Sequence, residues 1–136
     1  MKNNVYQELK KVIKNAHAPY SRFYVSAMVE TDKGNFYGVN VENAAYPSSM
    51  CAERVAIHNA ISHGAKKFQA LYLLTSSNTF ITPCGACRQV MNEFLKASTP
   101  IYVFNNKGAQ KKYTLSTLLP NAINYTQLIK ATHGSK

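Results

Sequence analysis

Two short cysteine motifs constrain the fold of this chain more than any other feature. Cys51-Ala52-Glu53 and Pro83-Cys84-Gly85-Ala86-Cys87 each begin a predicted helix, and the stretch between them holds a complete helix and a strand. For the motifs to act together, the fold must bring the starts of two separate helices side by side. Cys84 and Cys87 are three apart, so on a helix they share a face and can clasp one ion. Cys51 can supply a third thiolate. Three protein ligands with a fourth place left for water distinguish a catalytic zinc from a closed structural one. That arrangement uses all three cysteines of the chain, and an odd number argues against a disulfide framework. Taken singly, each motif has a plainer reading: small cysteines are often just buried, and a lone C-x-x-C can be a redox motif.

Helical geometry adds a condition on Glu53. Residues two apart point roughly 200° away from each other around the axis, so Cys51 and Glu53 cannot lie on one stripe. The metal is therefore expected close to the axis at the helix start, with Glu53 approaching from another side. There the positive end of the helix dipole favours thiolates. Three thiolates around a divalent ion leave the site with net negative charge, which resists deprotonation of water. Arg54 can donate to a thiolate sulfur and offset that charge; an exposed ion pair is the plainer role for it.

The remaining pattern is of alternating elements. Val5, Leu9, Val12, Ile13 and Ala16 recur at helical spacing, predicting an amphipathic helix over 5–16 with a lysine-rich outer face. Phe23 to Glu30 reads as a strand, and the Asp32-Lys33-Gly34 turn returns the chain along Asn35 to Val41 as a hairpin. A helix is predicted over Met50 to Ser62, with Ser48 and Ser49 as candidate caps and Gly64 as a stop signal. A buried strand follows at Gln69 to Thr75, then a loop over Ser76 to Pro83. Next come a helix over Cys84 to Lys96, a strand at Ile101 to Phe104, a strand around Lys112, a short helix near Ser116 to Leu119, and more helix after Pro120. Strands joined first by a hairpin and then separated by helices predict an α/β fold. The expected form is a three-layer α/β/α sandwich around a mixed sheet of roughly five strands. With 136 residues and no linker or repeat, residues 1–136 are expected to form a single domain.

The formal charge is +10, and such a surplus can mark a nucleic-acid surface. The lysines are scattered, however. Lys10, Lys11 and Lys14 fall in the first helix, Lys66 and Lys67 in a loop, and Lys107, Lys111 and Lys112 near a late turn. No dense basic run is interleaved with aromatics as a single-strand groove requires, so the charge reads as solvated surface and no nucleic-acid partner is expected. The stretch from Met1 to Ala16 lacks the apolar region of a secretory signal, and no segment approaches the roughly 18 apolar residues of a membrane span. A soluble cytoplasmic protein is the expectation.

At the cysteine motifs the sequence resembles the small homotetrameric, zinc-dependent cytidine deaminases. The resemblance extends through Pro19-Tyr20-Ser21, Asn40-Val41-Glu42-Asn43-Ala44, Cys51-Ala52-Glu53-Arg54, Pro83-Cys84-Gly85-Ala86-Cys87-Arg88-Gln89 and Leu118-Leu119-Pro120. It implies hydrolytic deamination of cytidine and 2′-deoxycytidine to uridine and 2′-deoxyuridine plus ammonia, in pyrimidine salvage. One zinc per subunit would be held by Cys51, Cys84 and Cys87. Glu53 would take a proton from water and carry protons to N3 and the departing amine. The resemblance also assigns Asn40 and Glu42 to the ribose 3′-hydroxyl, Phe23 to packing against the nucleoside and the Ala52 backbone to the base. Ala44 and Tyr46 would complete a neighbouring subunit's pocket, which implies a homotetramer with shared sites. Residues two apart on a strand end face the same side, so Asn40 and Glu42 can converge on one hydroxyl. Some positions depart from the family pattern. Ser26 stands where glycine is usual, Ser48 to Met50 replaces a more apolar run, and Ile123 occupies a position often filled by an aromatic that lids a partner's pocket.

Three other readings compete. A polynucleotide deaminase would suit the basic charge, but a carboxylate at Glu42 bonds a free 3′-hydroxyl and repels a phosphodiester. A deaminase of cytosine-nucleoside antibiotics is disfavoured by Asn40-x-Glu42 with Asn43-Ala44. A non-catalytic zinc module would leave Glu53 without a task.

Overall fold

Alternation along β1 (Val25–Thr31) sets the layers: Val25, Ala27 and Val29 point to one side, Ser26, Met28 and Glu30 to the other. β2 (Gly34–Val39) returns antiparallel to it through a tight turn in which Thr31 pairs with Gly34, whose φ of +105° favours glycine. The computed structural model describes residues 2–133, so Met1 and residues 134–136 of the expected domain lie outside it. It places β1 and β2 in a five-stranded sheet of order β2-β1-β3-β4-β5, with β3 (Phe68–Thr75), β4 (Pro100–Phe104) and β5 (Gln110–Thr114). β3 and β4 run parallel, joined by a crossover through α3 (Gly85–Phe94), while β1–β2, β1–β3 and β4–β5 are antiparallel. The sheet is mixed, as the element order predicts.

Helices cover both faces. α2 (Ala52–Ser62) and α3 lie on the Val25, Ala27 and Val29 side, where Ala56, Ile57, Cys87 and Met91 pack against Leu71, Leu73, Ile101 and Val103. On the other side α1 (Lys2–Val12), continued by a 3₁₀ turn over Ile13–Asn15, sets Leu9 against Met28, Leu74 and Phe104. Ser26, the departure from glycine, is fully buried on this second face. Its hydroxyl donates to the Leu9 carbonyl at 2.9 Å and so ties β1 to α1. The short late helix is α4 (Leu115–Leu118), one residue earlier than predicted, and the chain after Pro120 forms α5 (Tyr125–His133). No helix among the described residues is long and apolar enough to cross a membrane.

One glycine controls how deeply α2 sits. A Cβ at Gly38 in β2 would overlap the carbonyl oxygen of Ala52 and the amide nitrogen of Ala56, and would crowd Val55. Two of those obstacles are helix backbone and cannot rotate away. Ala52, Ala56 and Ala60, all fully buried, form the matching small face of α2. Gly38→Ala should therefore destabilise the fold by about 3 kcal/mol, the upper end for overpacking, read from the denaturant midpoint. A loss near zero would show that α2 can slide without penalty.

Candidate active site

Both cysteine motifs sit at helix starts, with α2 opening two residues and α3 one residue later than predicted. α2 opens at Ala52 instead of Met50, with Cys51 as its N-cap residue, and α3 opens at Gly85 with Cys84 as N-cap and closes at Phe94, two residues before Lys96. The serines expected to cap α2 do other work. Ser48 belongs to a 3₁₀ turn over Tyr46–Ser48, and the Ser49 hydroxyl accepts from the Asn43 amide at 3.0 Å. Neither cysteine N-cap makes a side-chain capping bond. The sulfurs turn toward each other: Cys51 Sγ is 3.8 Å from Cys84 Sγ, which is 3.5 Å from Cys87 Sγ, and all three lie within 4.8 Å of one another.

These separations test the metal reading. Thiolates at about 2.3 Å around a tetrahedral zinc lie about 3.8 Å apart, whereas a disulfide needs about 2.05 Å. The donor set therefore fits a zinc ion and not a disulfide, and Cys51, Cys84 and Cys87 are positioned to bind a metal ion. Two helix N-termini also aim at the cluster, and their dipoles favour the thiolate forms.

Charge is distributed unevenly among the sulfurs. The Cys51 thiol is pushed down to about 5, first by a hydrogen bond from Cys87 and then, against the opposing effect of burial, by Arg54. The Cys87 thiol, donor in that bond and itself buried, is pushed up. Arg54 Nη2 donates to Cys51 Sγ at 3.5 Å, so the guanidinium neighbours a sulfur as the sequence suggests, and its Nε is buried without a hydrogen-bond partner. Glu53, 5% exposed in the first turn of α2, has its carboxyl pushed up to about 7, chiefly because burial disfavours its charge. A carboxyl poised near neutrality can both take and give a proton at working pH.

Cys51, Ala52, Glu53, Arg54 and Cys84 line a cleft of about 610 Å³, while Cys87, beside Cys84, is fully buried and not part of the lining. Phe23, Asn40, Glu42 and Tyr46 line the same cleft. Asn40 is locked in place: its Oδ1 accepts from the Val25 amide at 2.9 Å and its Nδ2 donates to the Phe23 carbonyl at 2.7 Å. One Nδ2 hydrogen is left to offer a ligand. The Asn40 to Glu42 segment is itself held between His17 and Met50 by backbone pairing at Val41. Ala44 does not line the cleft and is exposed on the loop beyond it, while Tyr46, at 75% exposure, stands at the mouth.

Sequence reasoning gave no role to several residues of the site. Ser21, Thr75 and Thr82 also line the cleft. Arg88 donates to the carbonyls of Pro83 and Leu118, each at 2.6 Å, and to Thr82 Oγ1 at 2.8 Å, which clamps the loop leading into Cys84 against α4. Its place in the Cys87-Arg88-Gln89 run was the available signal. Ile123 is exposed, but its carbonyl accepts from Gln89 Nε2 and Asn92 Nδ2, which anchors the start of the C-terminal segment on α3.

Comparison with known proteins places this geometry in context. Residues 1–103 match the family model for the cytidine and deoxycytidylate deaminase zinc-binding region. A cytidine deaminase of Sporosarcina psychrophila is 42% identical over 122 residues, covering 89% of this chain and 90% of that protein. One from Mycoplasma genitalium is 32% identical, covering 86% and 91%. Among solved structures, cytidine deaminase from Burkholderia pseudomallei superposes with a TM-score of 0.85 at 36% identity, covering 90% of this chain and 99% of the other.

Proposed function

The chain belongs to the cytidine and deoxycytidylate deaminase family, and from that premise we propose that it hydrolyses the C4 amino group of free cytosine nucleosides, with Glu53 as proton carrier. The products are uridine and ammonia, and 2′-deoxycytidine is taken as a second substrate. The observation that carries this reading is the buried Glu53 carboxyl, held near neutrality and lining the same cleft as Cys51 and Cys84, two of the three clustered sulfurs.

Zinc bound by Cys51, Cys84 and Cys87 would act as a Lewis acid that lets water react at neutral pH. The protein's own groups do the rest. Glu53 accepts a proton from the attacking water and delivers it to N3; it then accepts the remaining proton of the oxygen newly bonded to C4 and passes it to the amine, so that the C4 carbonyl forms as the C4–N bond breaks and ammonia leaves. Its burial excludes bulk water that would otherwise take those protons. Arg54 offsets the negative charge that accumulates on the sulfurs. The Ala52 backbone meets the base, and Phe23 packs against the nucleoside.

In the same cleft the spare Asn40 Nδ2 hydrogen is available to the 3′-oxygen, and Glu42 accepts from the 3′-hydroxyl. Hydrogen bonds from Ser21 hold the Glu42 carboxyl below its ordinary range, so it remains an acceptor at neutral pH. An ionised acceptor there favours a free hydroxyl over a phosphodiester, which supports a nucleoside substrate over a polynucleotide. Ammonia release from cytidine but not from cytosine-containing single-stranded DNA is the expected result. Equal release from both would overturn the nucleoside assignment.

The same proposal covers the assembly: a single catalytic domain forming a homotetramer in the cytoplasm, within pyrimidine salvage, each cleft completed by Ala44 and Tyr46 of a neighbour. Tyr46, exposed on the cleft lining, and the exposed Ile123, Tyr125 and Leu128 of the C-terminal segment support it, since exposed apolar side chains suit burial by another subunit.

A further inference from the structure

We propose that Ser21 is a positioning residue that sets specificity for the ribose 3′-hydroxyl by fixing the second carboxylate oxygen of Glu42. The inference rests on the assignment of Glu42 to that hydroxyl. Glu42 Oε1 already accepts from two backbone amides, Tyr20 at 3.0 Å and Ser21 at 3.1 Å. Those two bonds pin one oxygen only. Oε2 accepts from the Ser21 hydroxyl in a short hydrogen bond, and the Ser21 Oγ in turn accepts from the Phe23 amide at 3.0 Å.

Counting donors and acceptors gives the consequence. A serine hydroxyl has one hydrogen and two lone pairs. The hydrogen is committed to Glu42 and one lone pair to Phe23, so Ser21 joins the residue that packs on the nucleoside to the residue that accepts from the ribose. A carboxylate has capacity for about four hydrogen bonds, and three are filled. The remaining capacity lies on Oε2, the oxygen whose direction Ser21 fixes.

The loop is built to hold this arrangement. Arg22 takes a left-handed conformation, φ +57°, uncommon for a residue with a side chain, while its amide donates to the Ala18 carbonyl at 2.9 Å. That turn folds Ser21 back over Glu42, 21 positions along the chain. Backbone strain of this kind persists where surrounding bonds over-determine it.

The test compares cytidine with 3′-deoxycytidine in the zinc-loaded enzyme. The parent should prefer cytidine by about 100-fold in kcat/KM, the scale of one lost hydrogen bond to a charged group. In Ser21→Ala the KM for cytidine should rise about 10-fold with kcat within about twofold, and the KM for 3′-deoxycytidine should rise clearly less, because only the lost bond to the Phe23 amide, and not the one to Glu42, can reach a substrate without the hydroxyl. Ser21→Thr, which keeps the Oγ, should restore the parent preference. The Ser21→Ala/Glu42→Gln double variant should discriminate no worse than Glu42→Gln alone, since both changes act on one contact.

Three results overturn the proposal. One is an equal rise in KM for both nucleosides, which would make Ser21 a general loop support. Another is strict additivity in the double variant. The third is a parent enzyme indifferent to the 3′-hydroxyl, which removes the Glu42 assignment itself and is distinguishable because it appears before any substitution is made.

Discussion

Glu53→Gln is expected to bind zinc like the parent and stay folded, while cytidine turnover falls by about four orders of magnitude, the upper range for losing a general acid–base group. The amide keeps the shape and polarity of the carboxyl but cannot accept and return a proton. Because Glu53 is not among the sulfur ligands, metal content should remain near one per chain. A second consequence separates burial from catalysis and is read in the metal-free protein. Burial lifts the folded-state value from 4.5 to about 7, so the unfolded chain ionises Glu53 over a range where the folded chain holds it neutral. Below the lower value both states carry the proton and nothing is gained or lost. As pH rises through the window the unfolded state is favoured, by up to ~3 kcal/mol above the upper value. Glu53→Gln removes that penalty. The stripped variant should therefore be more stable than the stripped parent at pH 8 and equal to it at pH 4, as read by urea unfolding. Turnover at the parent rate would end the assignment of Glu53 as proton carrier.

Cys51→Ala is the second large effect. Two sulfurs three positions apart remain, but the ligand from the other helix is gone. Zinc content of the purified protein should drop from one per chain to under about a tenth, and turnover should fall below about a thousandth, because affinity depends on a complete donor set. Stability of the zinc-loaded state should fall with it, since ligand binding to the folded form alone stabilises that form. A Cys51→Ala protein that retained full zinc and activity would show that the sulfur grouping at 3.5 to 3.8 Å is not the functional centre.

Much of the fold was readable because it depends on local periodicity. The helical spacing of Val5, Leu9 and Val12, the alternation in β1 and the Gly64 stop, found at φ +88°, all concern neighbours a few positions apart. The grouping of the three sulfurs was readable for a different reason: sulfur chemistry is scarce, and three cysteines admit few groupings. The details that sequence missed depend on partners outside the element that each residue belongs to. Ser49 looks like a helix cap by type and position, yet its hydroxyl serves Asn43 in the preceding loop. Ser26 reads as a departure from pattern until its bond to Leu9 appears across the sheet. Arg88 and Gly38 matter through Leu118 and Ala52, whose proximity no spacing rule encodes.

The position of β3 has a consequence for how the centre is assembled in time. Cys51 precedes that strand in the chain and Cys84 follows it, and β3 is the middle strand of the sheet, antiparallel to one neighbour and parallel to the other. A nascent polypeptide can chelate early through the closely spaced Cys84 and Cys87 alone. The third sulfur joins only after the central strand has been threaded into register, which makes a completed ligand set a record of correct topology.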